Sequence, residues 1–502
     1  MRGSGGVAVG SRGCAPVTRR ASFSAAAVAA GLTLCGCSGA ALSTLGIVQA
    51  PRLRIGLVGF PNAVGDGLAQ SLQECGKAYA RHGGRLRLAI QSHIVPEMGW
   101  YDCGGKPCSP ASVVPVGLLT GGPDSSAPQI QVGTAQAPNI VYVAGRTSLG
   151  IHFGAPLPSP APASLVNLRA GGPDLIIGYS TWAYWLALLA TPLGDAAKLY
   201  PEYLSGLSPG LLAHGDFFAP DQGLAPLALP LLRNPMALFF SAPAAAARAA
   251  VANPQWTWDG FATWLRHAGS AVSAGGFMWT QSYPEGTETA LAMLSAYGGA
   301  LGTVRAGNVL PGYTGSGAEA GLRTWSQIVT GETTSAEGSP PNASPPSGGG
   351  SAVVAQHLWS PLWANRFQWT PTWLARPLPA GPRGRRVPCT YLCAFVSLGN
   401  TAGSLANEFA AFLMSSVAQP LIGGASVGLP VRHGDVVATA AKWYPWLLDA
   451  ATFADGNSDL SLTDLFGDLS GVKDGDGVAT VNDGFAAHLA AVQAPLIAAQ
   501  GP

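Results

Sequence analysis

Residues 53–60, LRIGLVGF, form an unbroken apolar run of strand length. Such a run predicts a buried strand. Helix-spaced Leu68, Leu72, Cys75 and Tyr79 follow across 65–82, and Gly83-Gly84 stops that helix. Residues 85–91, RLRLAIQ, then alternate as a second strand. A strand–helix–strand opening builds a parallel sheet, which places the chain in the α/β class. The chain has 502 residues, roughly three domain lengths at about 150 each, so it can bury a large core. Charged residues make up 11 %, less than half the usual share of about 25 %. With 27 basic and 26 acidic side chains the net charge is +1. A nucleic-acid binder needs a dense cationic surface, which this composition excludes. Bulk disorder is excluded too, because it pairs low hydrophobicity with high net charge.

The N-terminus reads as an address. Residues 1–20 carry Arg2, Arg12, Arg19 and Arg20 and no acid, and 21–36 are uncharged and largely apolar. A basic region before a short apolar one is a secretory signal. It ends in Leu34-Cys35-Gly36-Cys37, which resembles the lipobox of bacterial lipoproteins. The resemblance implies cleavage of 1–36, diacylglycerol on the Cys37 thiol and a tether over 37–51. The pair Arg19-Arg20 followed by Phe23 also resembles a twin-arginine export signal. A plain anchor helix is the other reading. Residues 175–194 carry no charge over twenty positions, but Gly178, Ser180 and Pro192 interrupt them. A buried strand, loop and helix fits this stretch better than a membrane span.

The remaining cysteines suit an oxidising compartment. Cys103 and Cys108 bracket a Gly-Gly-Lys-Pro turn that permits a local disulfide, and Cys389 and Cys393 offer a second. Cys75, on the first helix, is left as a buried free thiol. Neither pair has the two-residue gap of a zinc site, and no paired histidines lie nearby.

Residues 93–173 read as a Gly/Pro/Ser-rich insertion with one apolar strand near 139–143. A strand at 174–178 precedes the aromatic cluster Tyr179, Trp182, Tyr184 and Trp185. An extended segment, LALPLLRNPMALFF, spans 227–240. Thr257 then caps a helix opening with Trp258-Asp259. Further helices are predicted at 286–299, 316–330, 403–420 and 484–499, and strands at 351–359 and 389–398. Residues 331–350 are a low-complexity loop, and 455–484 are acidic and Gly-rich.

From 174 to 432 this order resembles the extracellular solute-binding proteins of ABC importers, the family that serves sugars. Four landmarks carry the resemblance. The first is Pro173-Asp174-Leu-Ile-Ile before an aromatic loop. The second is Leu229-Pro230 with Asn234-Pro235-Met236, then Pro254 and Thr257-Trp258-Asp259. The third is Ser351-Ala352-Val353-Val354 leading to Trp359. The fourth is a strand at 391–398, Ala406-Asn407-Glu408-Phe409, and then Gly428-Leu429-Pro430. Where the family carries glycines before its fourth strand, this chain has Cys389-Thr390-Tyr391.

The resemblance implies a two-lobe, periplasmic-binding-protein-like α/β fold of type II, with hinge-linked lobes and a central ligand cleft. One lobe would comprise 52–235 plus 380–430, the other 236–379 plus 431–502. The crossings would fall near 232–236, 376–381 and 428–432. A pyranose has an apolar C–H face, which flat rings cover, and polar rim hydroxyls. Expected ligand contacts are Tyr179 and Trp182 from the first lobe, Trp279 and Trp359 from the second, and Asn62 and Tyr391 as further candidates. The opposing reading makes each Trp a core residue and Asn62 a helix cap. Trp258, Trp264 and Trp325 are expected in the core.

Little catalytic chemistry is legible. Gly424-Ala425-Ser426-Val427-Gly428 matches a serine-hydrolase elbow, but a helix precedes it and Pro430 follows, the reverse of what that elbow needs. The Asp474–Asp483 stretch resembles part of a calcium loop, but its first ligand position is Val472. The resemblance implies a monomeric, non-enzymatic binding protein, and no motif in the sequence calls for a cofactor or metal. Its partners would be a carbohydrate-like solute, an ABC permease and, through its lipid, the outer face of the cytoplasmic membrane. The alternatives are a secreted carbohydrate-active hydrolase and a surface lipoprotein without a transport role.

Overall fold

The computed structural model describes residues 50–58, 60, 62–94, 118–121, 128–134, 137–142, 145–146, 152–153, 172–180, 183–207, 210–219, 223–241, 256–264, 277–278, 284–330, 353–358, 373–424, 428–454, 456–473, 477–478, 480–481, 484–485, 487–489 and 491–492. The opening is the one expected. Strand β1 (Arg52–Val58) leads to helix α1 (Asn62–Arg81) and strand β2 (Arg87–Ile94), and β1 pairs with β2 in parallel. β3 (Leu175–Tyr179) joins the other edge of β1, also in parallel. Every residue of β3 is buried, as a strand covered on both faces requires.

A hairpin of β4 (Asp216–Ala219) and β5 (Gly223–Pro226) comes next. It was not foreseen from the sequence. Gly215 makes its entry possible: a Cβ there would lie 1.9 Å from the Ala228 carbonyl oxygen. The extended segment is a single strand, β6 (Ala228–Ser241). Its first half pairs antiparallel with β12 (Cys389–Val396) and with β13 (Leu429–Pro430). Its second half pairs with β10 (Val353–His357) and β11 (Trp373–Pro377). The short β7 (Phe277–Met278) extends β10 in parallel. The nine strands run β7-β10-β6-β12-β3-β1-β2, with β11 and β13 also on β6. Pro230 sits beside the irregularity between Pro230 and Leu232, where a residue lacking an N–H is tolerated.

Two hydrophobic clusters flank β6. The first gathers β1, α1, β3, β12 and the start of β6. The second gathers α2 (Pro284–Ala296), α3 (Ser316–Thr330), Trp256, Trp258 and Phe261. A hairpin of β8 (Gly302–Arg305) and β9 (Asn308–Pro311) links α2 to α3. Trp258 and Trp325 are 0 % and 1 % exposed, as expected for core indoles, whereas Trp264 is half-buried. Thr257 caps as expected, its Oγ1 accepting from the Gly260 N–H at 3.1 Å.

Several expectations are corrected. The helix foreseen at 403–420 is two helices, α4 (Ser404–Leu413) and α5 (Gln419–Gly423). Pro420 lies at the start of α5, where a missing N–H costs nothing. Val436, Ala440 and Tyr444, on and after α6 (His433–Trp443), pack into the first cluster. The acidic stretch holds a short helix, α7 (Leu462–Phe466), closed by a capping box between Ser461 and Asp464. Cys389 and Cys393 are free thiols. They lie four residues apart on one strand, about 13 Å by the strand rise, beyond disulfide reach. Cys75 is a buried free thiol as foreseen. Within the uncharged stretch, 175–179 form β3 and 183–189 short helical turns, and among the described residues no helix is long and apolar enough to cross a membrane. Cys37, Cys103, Cys108, the signal, Ser426 and the aspartates at 474, 476 and 483 lie outside the described residues.

Candidate functional site

β1 and β3 are parallel, so their C-terminal ends, Val58 and Tyr179, lie at one edge of the sheet. β12 is antiparallel to β3 and begins at that same edge. There the Tyr391 N–H donates to Ser180 Oγ at 3.1 Å. The turn before β4 adds His214, β4 opens with Asp216, and the cap and first residue of α7 add Ser461 and Leu462. Together with Cys389, Tyr391 and Phe217 these residues enclose a gap of about 20 Å³, room for roughly one water molecule. Tyr391 and Phe217 belong to the first core, and Leu462 packs on the second. The gap therefore lies between the two cores, at the strand ends where α/β sheets hold ligands.

Beneath it is a buried ion pair. Arg233, on β6, is 2 % exposed and Asp459 3 %. Arg233 Nε and Nη2 donate to the two Asp459 oxygens at 2.7 and 2.6 Å, and Nη1 donates to the Phe453 carbonyl at 2.7 Å. The Tyr391 hydroxyl donates to Asp459 Oδ2. Burial alone would lower the Arg233 pKa, but the Asp459 charge and hydrogen bonds outweigh it and hold it well above the usual value. Burial, reinforced by the Asp459 charge, raises both Tyr391 and Cys389 far above their ordinary ranges. The His214 ring stacks on Tyr391 at 4.6 Å and 22°. Burial lowers its pKa, Arg233 adds to the lowering and Asp459 opposes it. Burial alone lifts Asp216 to about 6.

A second buried pair sits on the other half of β6. His357 Nδ1 is 2.8 Å from the Asn234 carbonyl, and Nε2 is 2.6 Å from Glu288 Oε2. A carbonyl only accepts, so Nδ1 is the donor to Asn234.

This lining can hydrogen-bond a polar guest but lacks a nucleophile–base pair. Ser180 Oγ receives the Tyr391 N–H, and among the described residues no hydrogen bond joins it to His214. Asp459 is held by Arg233 and Tyr391, which leaves Asp216 as the carboxylate in the lining outside an ion pair. Among the described residues no cluster of His, Cys, Asp and Glu is arranged to hold a metal ion.

The expected contacts are only partly brought together. Tyr391 lines the gap, with its hydroxyl committed to Asp459. Tyr179 does not line it: it is 1 % exposed, with its ring 5.2 Å from Phe60 in the first core. As the last residue of a strand buried on both faces it packs rather than presents a ring. Asn62 opens α1, and its side chain lies outside the described residues, as do Trp182, Trp279 and Trp359. Sequence reasoning missed Ser180, His214, Asp216, Arg233 and Asp459. Arg233 did carry a signal, a lone charge inside LALPLLRNPMALFF. Such a charge, once buried, needs a partner.

No protein-family model matches the chain, and no curated protein matches it. Solved structures do. A cyclic α-maltosyl-1,6-maltose binding protein from Arthrobacter globiformis superposes with a TM-score of 0.51 at 13 % identity, covering 87 % of this chain and 99 % of that one. The chain has the maltose-binding-protein-like type II fold. The maltose-bound MalE3 of T. maritima gives 0.49 at 16 % identity, covering 89 % and 95 %. The GacH receptor of Streptomyces glaucescens, solved without ligand and with acarbose, gives 0.47 at 14 %, covering 88 % and 99 %.

Proposed function

We propose that the chain is a lipid-anchored substrate-binding protein of an ABC importer. It captures a sugar or similar polar solute between two lobes and delivers it to the permease's transmembrane subunits. The observation that carries this reading is a polar gap between two cores, at the strand ends of a type II binding fold. The gap holds about one water, so a sugar enters only when the halves part. Ligand that touches both halves then favours closure by its differential contacts. The Arthrobacter protein of the same fold is described as binding a cyclic maltosyl-maltose, which makes glucose oligomers the first class to test. In this reading the chain carries its solute without a catalytic step, and sugar products formed on incubation with maltotriose would overturn it.

A thermal-shift screen of the mature chain over maltose, maltotriose, cyclic maltosyl-maltose and trehalose tests the reading. At one hundred times Kd a ligand adds about 2.7 kcal/mol, so at least one sugar raises Tm by several degrees. If every sugar leaves Tm unmoved, the reading fails. The anchor has its own test. Wild type partitions into the detergent phase of a cloud-point separation, and Cys37→Ser moves it to the aqueous phase. Wild type in the aqueous phase from the start refutes the lipid.

A further inference from the structure

Asp216 lines two cavities. Besides the gap beneath Tyr391 it borders a groove of about 430 Å³ in the first core's territory, walled by Leu193, Ala197, Leu212, Pro226 and Leu229. That volume falls within the usual range for small-molecule sites, about 300–1,000 Å³. Two carboxylates reach the groove, Asp195 and Asp216. Asp195 is already satisfied: it accepts the Lys198 backbone N–H at 3.2 Å and pairs with Lys198 Nζ at 2.6 Å. Asp216 differs. It is half-buried, and among the described residues no hydrogen bond or ion pair reaches its carboxylate. The lone cause of its raised pKa is burial, with no neighbouring cation to offset it. A desolvated carboxylate without a partner is costly, and a cationic guest would relieve that cost.

We propose that this groove is a second binding site, for a small organic cation with an apolar body and one ammonium group, held by Asp216. The lining selects this class. Two carboxylates repel anions. A hard divalent cation needs about six oxygen ligands, and these walls are aliphatic. A neutral apolar guest leaves the Asp216 charge unmet, whereas an ammonium supplies both charge and donors. Leu193, Leu212, Pro226 and Leu229 take the apolar body. The site shares Asp216 with the gap of the sugar reading but needs neither lobe movement nor a ring from the loops after β3 and β10.

Phenethylamine and its neutral isostere 2-phenylethanol are the probes. In thermal-shift and calorimetric titrations at pH 7.5, the mature wild-type chain binds the amine at least tenfold more tightly than the alcohol. Asp216→Asn abolishes that preference. Ala197→Phe fills the groove, leaves the carboxylate in place and weakens the amine at least tenfold, which keeps the test valid should Asp216→Asn fold poorly. Equal binding of amine and alcohol by wild type overturns the proposal. So does a preference that survives in Asp216→Asn, or amine binding unaffected by Ala197→Phe. Because sugar binding is read separately, either assignment fails without the other.

Discussion

Asp459→Ala lowers the folding free energy by about 3–5 kcal/mol, the usual cost of leaving one half of a buried ion pair alone. The size follows from the geometry. Arg233 is 2 % exposed and directs two N–H groups at Asp459. With the carboxylate gone, the guanidinium keeps only the Phe453 carbonyl among these contacts, and the Tyr391 hydroxyl loses its acceptor. Three buried donors, two of them on one buried charge, are then stranded beside β6. The same deletion removes an anchor of the C-terminal segment, which meets the chain just before β12 through the Val387–Asp459 bridge and the Leu460 N–H to Val387 carbonyl bond. Urea unfolding measures the loss, and hydrogen exchange shows lowered protection over residues 456–466. The double variant Arg233→Met, Asp459→Leu recovers most of the stability, because replacing both partners removes the stranded charge. A loss under about 1 kcal/mol for Asp459→Ala would show that the pair is hydrated rather than buried.

This pair also marks where the sequence stopped being readable. The opening strand–helix–strand, the helix at 316–330 and the Thr257 cap were legible because local patterning determines them. The partner of Arg233 lies 226 residues away, and no local rule reaches that far. The Ser461-Leu-Thr-Asp464 capping box was visible in principle, but the aspartates and glycines around it masked a five-residue helix. The aromatic reading meets a different limit. A ring's chemistry is the same in a core and in a cleft, and Tyr179, an expected sugar contact, stands buried against Phe60 at the end of β3. His214 and Asp216 matter through the β4–β5 hairpin, and a bend that depends on Gly215 lying against the Ala228 carbonyl leaves only a weak trace in composition.

Asp174→Asn costs about 3 kcal/mol at pH 7 and flattens the acid limb of the stability curve. Asp174 is fully buried and accepts five hydrogen bonds. Three come from Arg54 N, Nε and Nη2 at 2.9, 3.1 and 2.8 Å, and two from Thr401 N and Oγ1 at 2.8 and 3.0 Å. They tie the middle of β1 to the start of β3 and to the turn before α4. Charge-assisted bonds of this kind are worth about 1.5–3 kcal/mol each, and Arg54, with 28 % of its side chain exposed, recovers part of the loss in water. Burial opposes the Asp174 charge, but the Arg54 and Thr401 hydrogen bonds prevail and hold its pKa far below the ordinary range. A depressed folded pKa means that the unfolded chain binds the proton first. The stabilisation is therefore complete above the unfolded value of about 3.9 and is lost as pH falls below it. Asp216 acts in the opposite sense. Its folded pKa of about 6 lies above the unfolded one, so its contribution rises as pH falls from about 6 towards 4. Urea unfolding from pH 7 to pH 3 separates the two windows: Asp174→Asn removes slope below pH 4, and Asp216→Asn removes it between 4 and 6. An unchanged acid limb in Asp174→Asn would mean that the Arg54 and Thr401 donors do not hold a charged carboxylate in the native state.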